Sequence, residues 1–182
     1  MSQRNSEYER RERDLYETPA WVTQALIPHL PRMPTTIWEP ACGSGKMVNA
    51  LSETGAYVLG SDIDSGGDFL RCGLPAGSDW DAIITNPPYE LGAEFCEHAV
   101  RLMERVRGAV AMLMRTDFDH AKGRTHLFRD CPAFAKKVVL MKRIAWFVEA
   151  DGKPKASPSF NHAWYIWDWR HDGPATIGYG PQ

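Results

Sequence analysis

The chain has 182 residues, 43% of them hydrophobic, and a net charge of −2; this is the size and composition of one globular domain and excludes a disordered or fibrous protein. Cys42, Cys72, Cys96 and Cys131 lie far apart with no C-x-x-C pair, so neither a zinc site nor a disulfide framework is indicated and a reducing, cytoplasmic setting is expected. No apolar run reaches the roughly 18 residues that span a bilayer, which excludes a membrane-spanning protein, and the polar start from Met1 to Asp14 is no signal peptide.

Residues 1–14 lack apolar periodicity and read as a polar arm in which arginines alternate with glutamates. A single domain is expected over 15–170, followed by a loose tail over 171–182. Tyr16-Glu17-Thr18-Pro19 precedes a helical pattern of Trp21, Val22, Ala25 and Leu26, with Thr18 as N-cap and Pro19 as the first helical residue. Thr35 to Trp38 is β-rich and reads as a first strand. It runs into Glu39-Pro40-Ala41-Cys42-Gly43-Ser44-Gly45-Lys46 and then a helix to about Glu53. A strand, a glycine turn and a helix in this order bring backbone N–H groups close to a ligand. An acid at Glu39 repels phosphate and welcomes an ammonium or sulfonium group. No G-x-x-x-x-G-K-[ST] is present, so this is not a Walker phosphate loop.

Ala56 to Gly60 is the second strand. Asp62 lies just past it, where doubly wound folds hold nucleoside ribose hydroxyls; Asp64 reads as a turn acid. Gly66 to Leu70 is expected as a third strand, reached through a loop too short for a crossover helix. Ala82 to Thr85 is a fourth, buried strand, stopped by Asn86-Pro87-Pro88-Tyr89. Each proline fixes its own φ and biases the residue before it towards extended backbone. The product is a stiff loop with one side-chain amide, one free carbonyl and one aromatic face, suited to gripping a planar amine. The plainer reading is a rigid turn with Tyr89 as core filler.

Leu91, Phe95, His98, Ala99, Leu102 and Met103 follow at helical spacing. Gly108 to Met114 is a continuous apolar run, hence a buried fifth strand, with Arg115 at its C-terminal end. Ala135 to Met141 is the sixth strand, leading to Trp146 and Phe147. Glu149 to Ser159 is a Pro/Lys/Gly loop, and His162 to Trp169 is the last strand. His98 reads as a core histidine, and His120, His126 and His162 have no metal-like spacing, so no metal site is expected. Charge is split along the chain. Asp14 to Val100 carries twelve acids and three bases, whereas Arg101 to Arg143 carries four acids and eleven bases. An acidic first half suits a small cationic ligand and a basic second half a phosphate-bearing polymer; the other reading is solvated helix faces. Arg115, Lys122 and Arg124 are the candidate polymer contacts.

Taken in order, Tyr-Glu-Thr-Pro, Glu-Pro-Ala-Cys-Gly-Ser-Gly, Ser-Asp-Ile-Asp, Gly-Asp-Phe-Leu and Asn-Pro-Pro-Tyr resemble the class I S-adenosylmethionine-dependent methyltransferases. More narrowly, they resemble adenine-N6 DNA amino-methyltransferases, in the short phage and prophage form that ends in a strand like Trp164-Tyr165-Ile166-Trp167. The resemblance covers roughly Tyr16 to Trp169. It implies a Rossmann-like α/β fold: a seven-stranded, mostly parallel sheet with an antiparallel last strand and helices on both faces. S-adenosylmethionine is the implied cofactor. Thr18 and Pro19 would border its methionine end, and Glu39, Ala41, Gly43 and Gly45 would line the methionyl and ribose portion. Asp62 would take the ribose hydroxyls, and Asp68 and Phe69 the adenine. Asn86, Pro87, Pro88 and Tyr89 would hold the target base, with Trp146 or Phe147 as the opposite stacking face. DNA is the implied partner. The absence of a recognition domain leaves room for a homodimer or a partner supplying specificity. RNA adenine, DNA cytosine N4 and protein glutamine are alternative acceptors, and a non-catalytic binding subunit is an alternative of another class.

Overall fold

Alternating side chains along seven strands cover both faces of one sheet. The computed structural model describes residues 16–147 and 160–181; the expected arm over 1–14 and the loop over 149–159 lie outside the described residues. The strands are β1 (Thr36–Glu39), β2 (Tyr57–Gly60), β3 (Ala82–Thr85), β4 (Ala109–Arg115), β5 (Phe134–Val139), β6 (His162–Asp168) and β7 (Thr176–Tyr179). Their spatial order is β2-β1-β3-β4-β6-β5-β7. β6 is antiparallel to β4 and β5, and every other neighbouring pair is parallel.

Trp38, Ile83, Val110, Met112, Tyr165 and Trp167 face one layer, packed on Phe95, Ala99 and Met103 of α3 (Gly92–Glu104). Ile37, Ala82, Ile84, Ala111, Leu113, Trp164 and Ile166 face the other, against α1 (Ala20–Leu26) and α2 (Lys46–Ser52). β3, β4 and β6 are therefore buried on both sides, which is why their sequences read as apolar runs rather than alternating ones. Indole N–H groups tie this core to loop and helix carbonyls: Trp164 Nε1 donates to Val22 O at 2.9 Å and Trp169 Nε1 to Val100 O at 2.8 Å.

Four sequence expectations change. Thr18 does not cap α1; Pro19 is the N-cap, with ψ 144°, and the helix starts one residue late. Gly66 to Leu70 is not a strand. Asp68 accepts from the Leu70 N–H and turns Phe69–Arg71 into a short 3₁₀ helix, a local side-chain bond that competes with sheet pairing. The antiparallel strand, β6, is not the last in the chain. The expected loose tail contains β7, which pairs with β5 in parallel and supplies the seventh strand that Gly66 to Leu70 does not.

The chain leaves β1 for β2 on one side and returns to β3 on the other. In such sheets the loops at the strands' C-terminal ends diverge at the reversal and open a crevice. Asp81, just ahead of β3, pins this pair at its other end: its Oδ2 accepts from Thr35 N at 2.8 Å, Thr35 Oγ1 at 2.7 Å and Thr36 N at 3.3 Å. Asp81→Ala is expected to cost about 2 kcal/mol, the scale of a charge-assisted hydrogen-bond set. Urea unfolding at pH 7 measures it, and a midpoint shift equivalent to under about 0.5 kcal/mol, the range of ordinary surface substitutions, would contradict the assignment.

Candidate functional site

The loops after β1, β2 and β3 line a cleft of about 520 Å³. The glycine turn between β1 and α2 needs backbone that other residues rarely adopt: Gly43 has φ 49° and Gly45, the residue capping α2, φ 84°. Of the residues singled out in the sequence, Thr18, Glu39, Ala41, Gly43, Asp62, Asp68, Phe69, Asn86, Pro87, Pro88 and Tyr89 all line this one cleft. Pro19 and Gly45 do not; each stands at the start of a helix beside it.

At the acidic end, Asp62 braces the glycine loop. Its Oδ2 accepts from Gly43 N at 2.9 Å and its Oδ1 from Asp64 N at 3.1 Å. Glu39 is 1% exposed. Its Oε1 accepts from the Thr85 hydroxyl and from Ala41 N, while Oε2 is buried with no partner among the described residues. Burial pushes this carboxyl up to about 8; the Thr85 and Ala41 hydrogen bonds pull it down, and the Asp62 charge adds to the rise. A buried carboxyl oxygen without a partner is costly, and a cation in the cleft would favour the ionised form over the proton that burial retains.

The other end is aromatic. Asn86 Nδ2 donates to the Tyr16 carbonyl at 3.1 Å, and Asn86 Oδ1 is buried without a partner among the described residues. The amide orientation is thereby set by its donor, and the acceptor is left for something else. The loop's closing bond runs from Leu91 N to the Pro88 carbonyl at 3.0 Å, which leaves the Pro87 carbonyl outside the turn. Tyr89 adjoins Tyr16 (ring centroids 6.0 Å) and Trp146 (6.4 Å), and Tyr16 also contacts Trp146 (5.3 Å) and Phe147 (5.7 Å). Trp146 and Phe147 thus stand beside this end of the cleft, with Tyr16 against them, though neither lines it.

The basic candidates are less concentrated. Arg115 ends β4, with its guanidinium 4.1 Å over the Phe160 ring and Nε 3.5 Å from Asp117. Lys122 is exposed. Arg124 donates to the Phe118 carbonyl at 2.7 Å and stacks over that ring, so it holds its own loop together. Among the described residues no group of three or more His, Cys, Asp or Glu could hold a metal ion, and no helix is long and apolar enough to cross a membrane.

Three residues were missed in the sequence. Tyr16 acts through a backbone carbonyl, which leaves no residue-type signal. Lys46 pairs with Glu17 at 2.5 Å, bridging the glycine loop to the segment ahead of α1. His162, set aside for lack of metal spacing, sits against Tyr89. His98 is a core residue as expected, with Nε2 2.8 Å from the Cys72 carbonyl.

No protein-family model and no curated protein matches the chain. Among solved structures it is similar to a protein of Vibrio vulnificus assigned as the modification subunit of a type I restriction enzyme. That match has 16% identity and a TM-score of 0.56, and covers 90% of this chain and 46% of the other. It is similar to a Listeria monocytogenes protein assigned as a class I S-adenosylmethionine-dependent methyltransferase, at 13% identity and TM-score 0.56, covering 90% and 63%. A third, from Pyrococcus horikoshii and assigned as an RNA methyltransferase, has 16% identity and TM-score 0.55, covering 84% and 86%. The chain therefore spans about half of the first of these proteins and just under two thirds of the second. The fold is the Rossmann-like one of class I methyltransferases.

The buried Glu39 carboxyl makes a testable contribution to stability. Its native pKa of about 8 lies above the ordinary value of 4.5, so the native state holds a proton that the unfolded chain releases between those pH values. That stability is fully present below about pH 4.5 and is lost as pH rises through about 8. His162 acts in the opposite sense, its pKa lowered from 6.5 to about 4 by burial, so its contribution is lost as pH falls through about 4. In the free protein the two effects on unfolding free energy oppose each other between pH 5 and 6.5, and the Glu39 loss stands alone above it. Glu39→Gln should therefore flatten the decline between pH 6.5 and 8 and leave the rise from pH 5 to 6.5 that His162 contributes. Urea titrations at pH 5, 6.5 and 8 read this, and identical slopes in both proteins would refute it.

Proposed function

We propose that this chain is an S-adenosylmethionine-dependent methyltransferase acting on an exocyclic amine of a nucleic-acid base, most narrowly adenine N6 in DNA. The observation that carries the reading is Asn86: its amide donor is held by the Tyr16 carbonyl, its acceptor oxygen is buried without a partner among the described residues, and the residue lines the cleft. The acidic end fits the cofactor. Glu39 has an oxygen without a partner among the described residues to turn to a cationic group, and Asp62, Asp68 and Phe69 line the same cleft; in this reading Asp62 accepts the ribose hydroxyls, and Asp68 and Phe69 take the adenine. When bound, S-adenosylmethionine supplies an electrophilic methyl on a positively charged sulfur.

The chain's own residues then act on the acceptor. An adenine amine is a poor nucleophile because its lone pair is delocalised into the ring. Asn86 Oδ1 and the Pro87 carbonyl accept its two N–H bonds, favour a pyramidal nitrogen and stabilise the positive charge that grows on it. This is preorganised electrostatic catalysis, opposite in sign to an oxyanion hole. Tyr89 supplies the stacking face for a base taken out of its helix, an extrusion costing a few kcal/mol that stacking offsets by about 1–3 kcal/mol. The likeness to a restriction-enzyme modification subunit supports DNA as the acceptor. Arg115 and Lys122 are the proposed phosphate contacts.

Transfer of labelled methyl to unmethylated DNA and to RNA, followed by nucleoside analysis, tests the reading; label in neither polymer would reject it. Asn86→Ala should lower the rate by roughly 10²–10³, the usual loss for one preorganised polar group, with cofactor affinity intact. Near-normal turnover would remove this loop from the chemistry. Asp62→Ala should weaken S-adenosylmethionine binding at least about tenfold, since hydrogen bonds to charged groups contribute roughly 1.5–3 kcal/mol each. Calorimetry showing wild-type affinity would exclude Asp62 as the ribose acceptor.

A further inference from the structure

A histidine is buried beside the aromatic end of the cleft. His162 is the first residue of β6 and pairs in register with Arg115 of β4. Its carbonyl accepts from Leu140 N at 3.1 Å, so its backbone is held on both sides by the sheet. The side chain belongs to a residue only 1% exposed. Nε2 lies 3.0 Å from the Tyr89 hydroxyl, and the two rings stack at 5.8 Å and 28°. Trp146 sets its ring edge-on to both, at 5.3 Å from His162 and 6.4 Å from Tyr89.

We propose that His162 is a positioning residue, which holds the Tyr89 ring by its hydroxyl so that the face offered to the acceptor base is set by the sheet rather than by the loop that carries it. This rests on the reading of Asn86 to Tyr89 as the acceptor site. Tyr89 begins a three-residue 3₁₀ turn, outside the sheet and the α-helices, and His162 joins it to a strand. A site on rigid elements is held more closely than one on a loop, and His162 lends Tyr89 that rigidity. Packing alone does not account for an imidazole here. Its Nδ1 is buried with no hydrogen bond of good geometry among the described residues, the Phe160 carbonyl exerting only a weak pull on the ring, a desolvation penalty that an apolar side chain would avoid. The ring is also kept neutral. Burial pushes its pKa down to about 4 and the Arg115 charge reinforces this, while the Phe160 carbonyl and Asp117 act the other way. A neutral ring keeps one nitrogen as acceptor and one as donor, so the contact with the Tyr89 hydroxyl persists over the ordinary pH range. Stacking by itself makes no use of that hydroxyl; this contact does.

The test compares wild type, His162→Leu, His162→Gln, Tyr89→Phe and the Tyr89→Phe/His162→Leu double variant. His162→Leu should raise the KM for the acceptor roughly fivefold, the equivalent of one neutral hydrogen bond, with kcat and S-adenosylmethionine affinity close to wild type. His162→Gln, whose amide reaches the Nε2 position, should restore most of the loss. Tyr89→Phe should match His162→Leu, and the double variant should be no worse than either single one. The ¹⁵N signals of the His162 ring should move in Tyr89→Phe, a readout that needs no activity. A double variant with multiplied losses, or a His162 ring indifferent to Tyr89→Phe, would overturn the proposal while leaving the acceptor site intact. A wild type that methylates no nucleic acid would overturn the acceptor site itself.

Discussion

At the C-terminal ends of β1 and β3 the sheet runs out of partners for its polar groups. Glu39 and Thr85 close these strands, and their hydrogen bond joins them across the reversal in strand order. One Glu39 oxygen and the neighbouring Asn86 oxygen remain buried without a partner among the described residues. Native structures leave few such groups, because each one costs the desolvation it has undergone. Both oxygens lie on residues that line the same cleft. The fold thus places two buried oxygens that have no partner among the described residues on the lining of one cleft, where a ligand could satisfy them.

The two ends of the cleft differ in how they are stiffened. At the acidic end backbone amides do the work: Gly43 N and Asp64 N hold the Asp62 carboxylate, and Ala41 N holds Glu39. At the aromatic end prolines and rings do it. Pro87 and Pro88 limit the loop, the Tyr16 carbonyl fixes the Asn86 amide, and Trp146, Phe147 and His162 surround the Tyr16–Tyr89 pair. The division matches the proposed ligands. A cationic, hydroxyl-bearing cofactor needs charged acceptors, and a planar base needs a flat face and a directed amide. The basic half of the chain contributes less to this edge than its charge count suggests, because Arg124 is spent on Phe118 and Arg129 on Asp130.

Much of the fold was legible in the sequence. The apolar runs at β3 and β4 and the tryptophan-rich β6 announced strands buried on both faces, and the glycine turn after β1 announced α2. Two elements were not. Gly66 to Leu70 looked extended, but Asp68 satisfies the Leu70 N–H locally and no neighbouring strand competes for it. β7 is a four-residue strand with an exposed face, and it exists because β5 offers an open edge. No property of Thr176 to Tyr179 alone signals that edge.

The site divides along the same line. Residue types and spacing by themselves determined that Asn86 would stand on a proline-stiffened loop at a strand end, that Glu39 would precede a glycine turn, and that Asp62 would follow the second strand. These are local properties, set by φ restriction and by strand and turn patterning over a few residues. Only the tertiary structure decided that Glu39 is buried beside Thr85, that the Tyr16 carbonyl takes the Asn86 amide donor, and that Tyr89 rests on His162. Those partners lie 46, 70 and 73 residues apart. They meet because β1, β3 and β6 take the positions they do in one sheet. Strand order is settled by the packing of the whole core, and it leaves no trace in the few residues on either side of each partner.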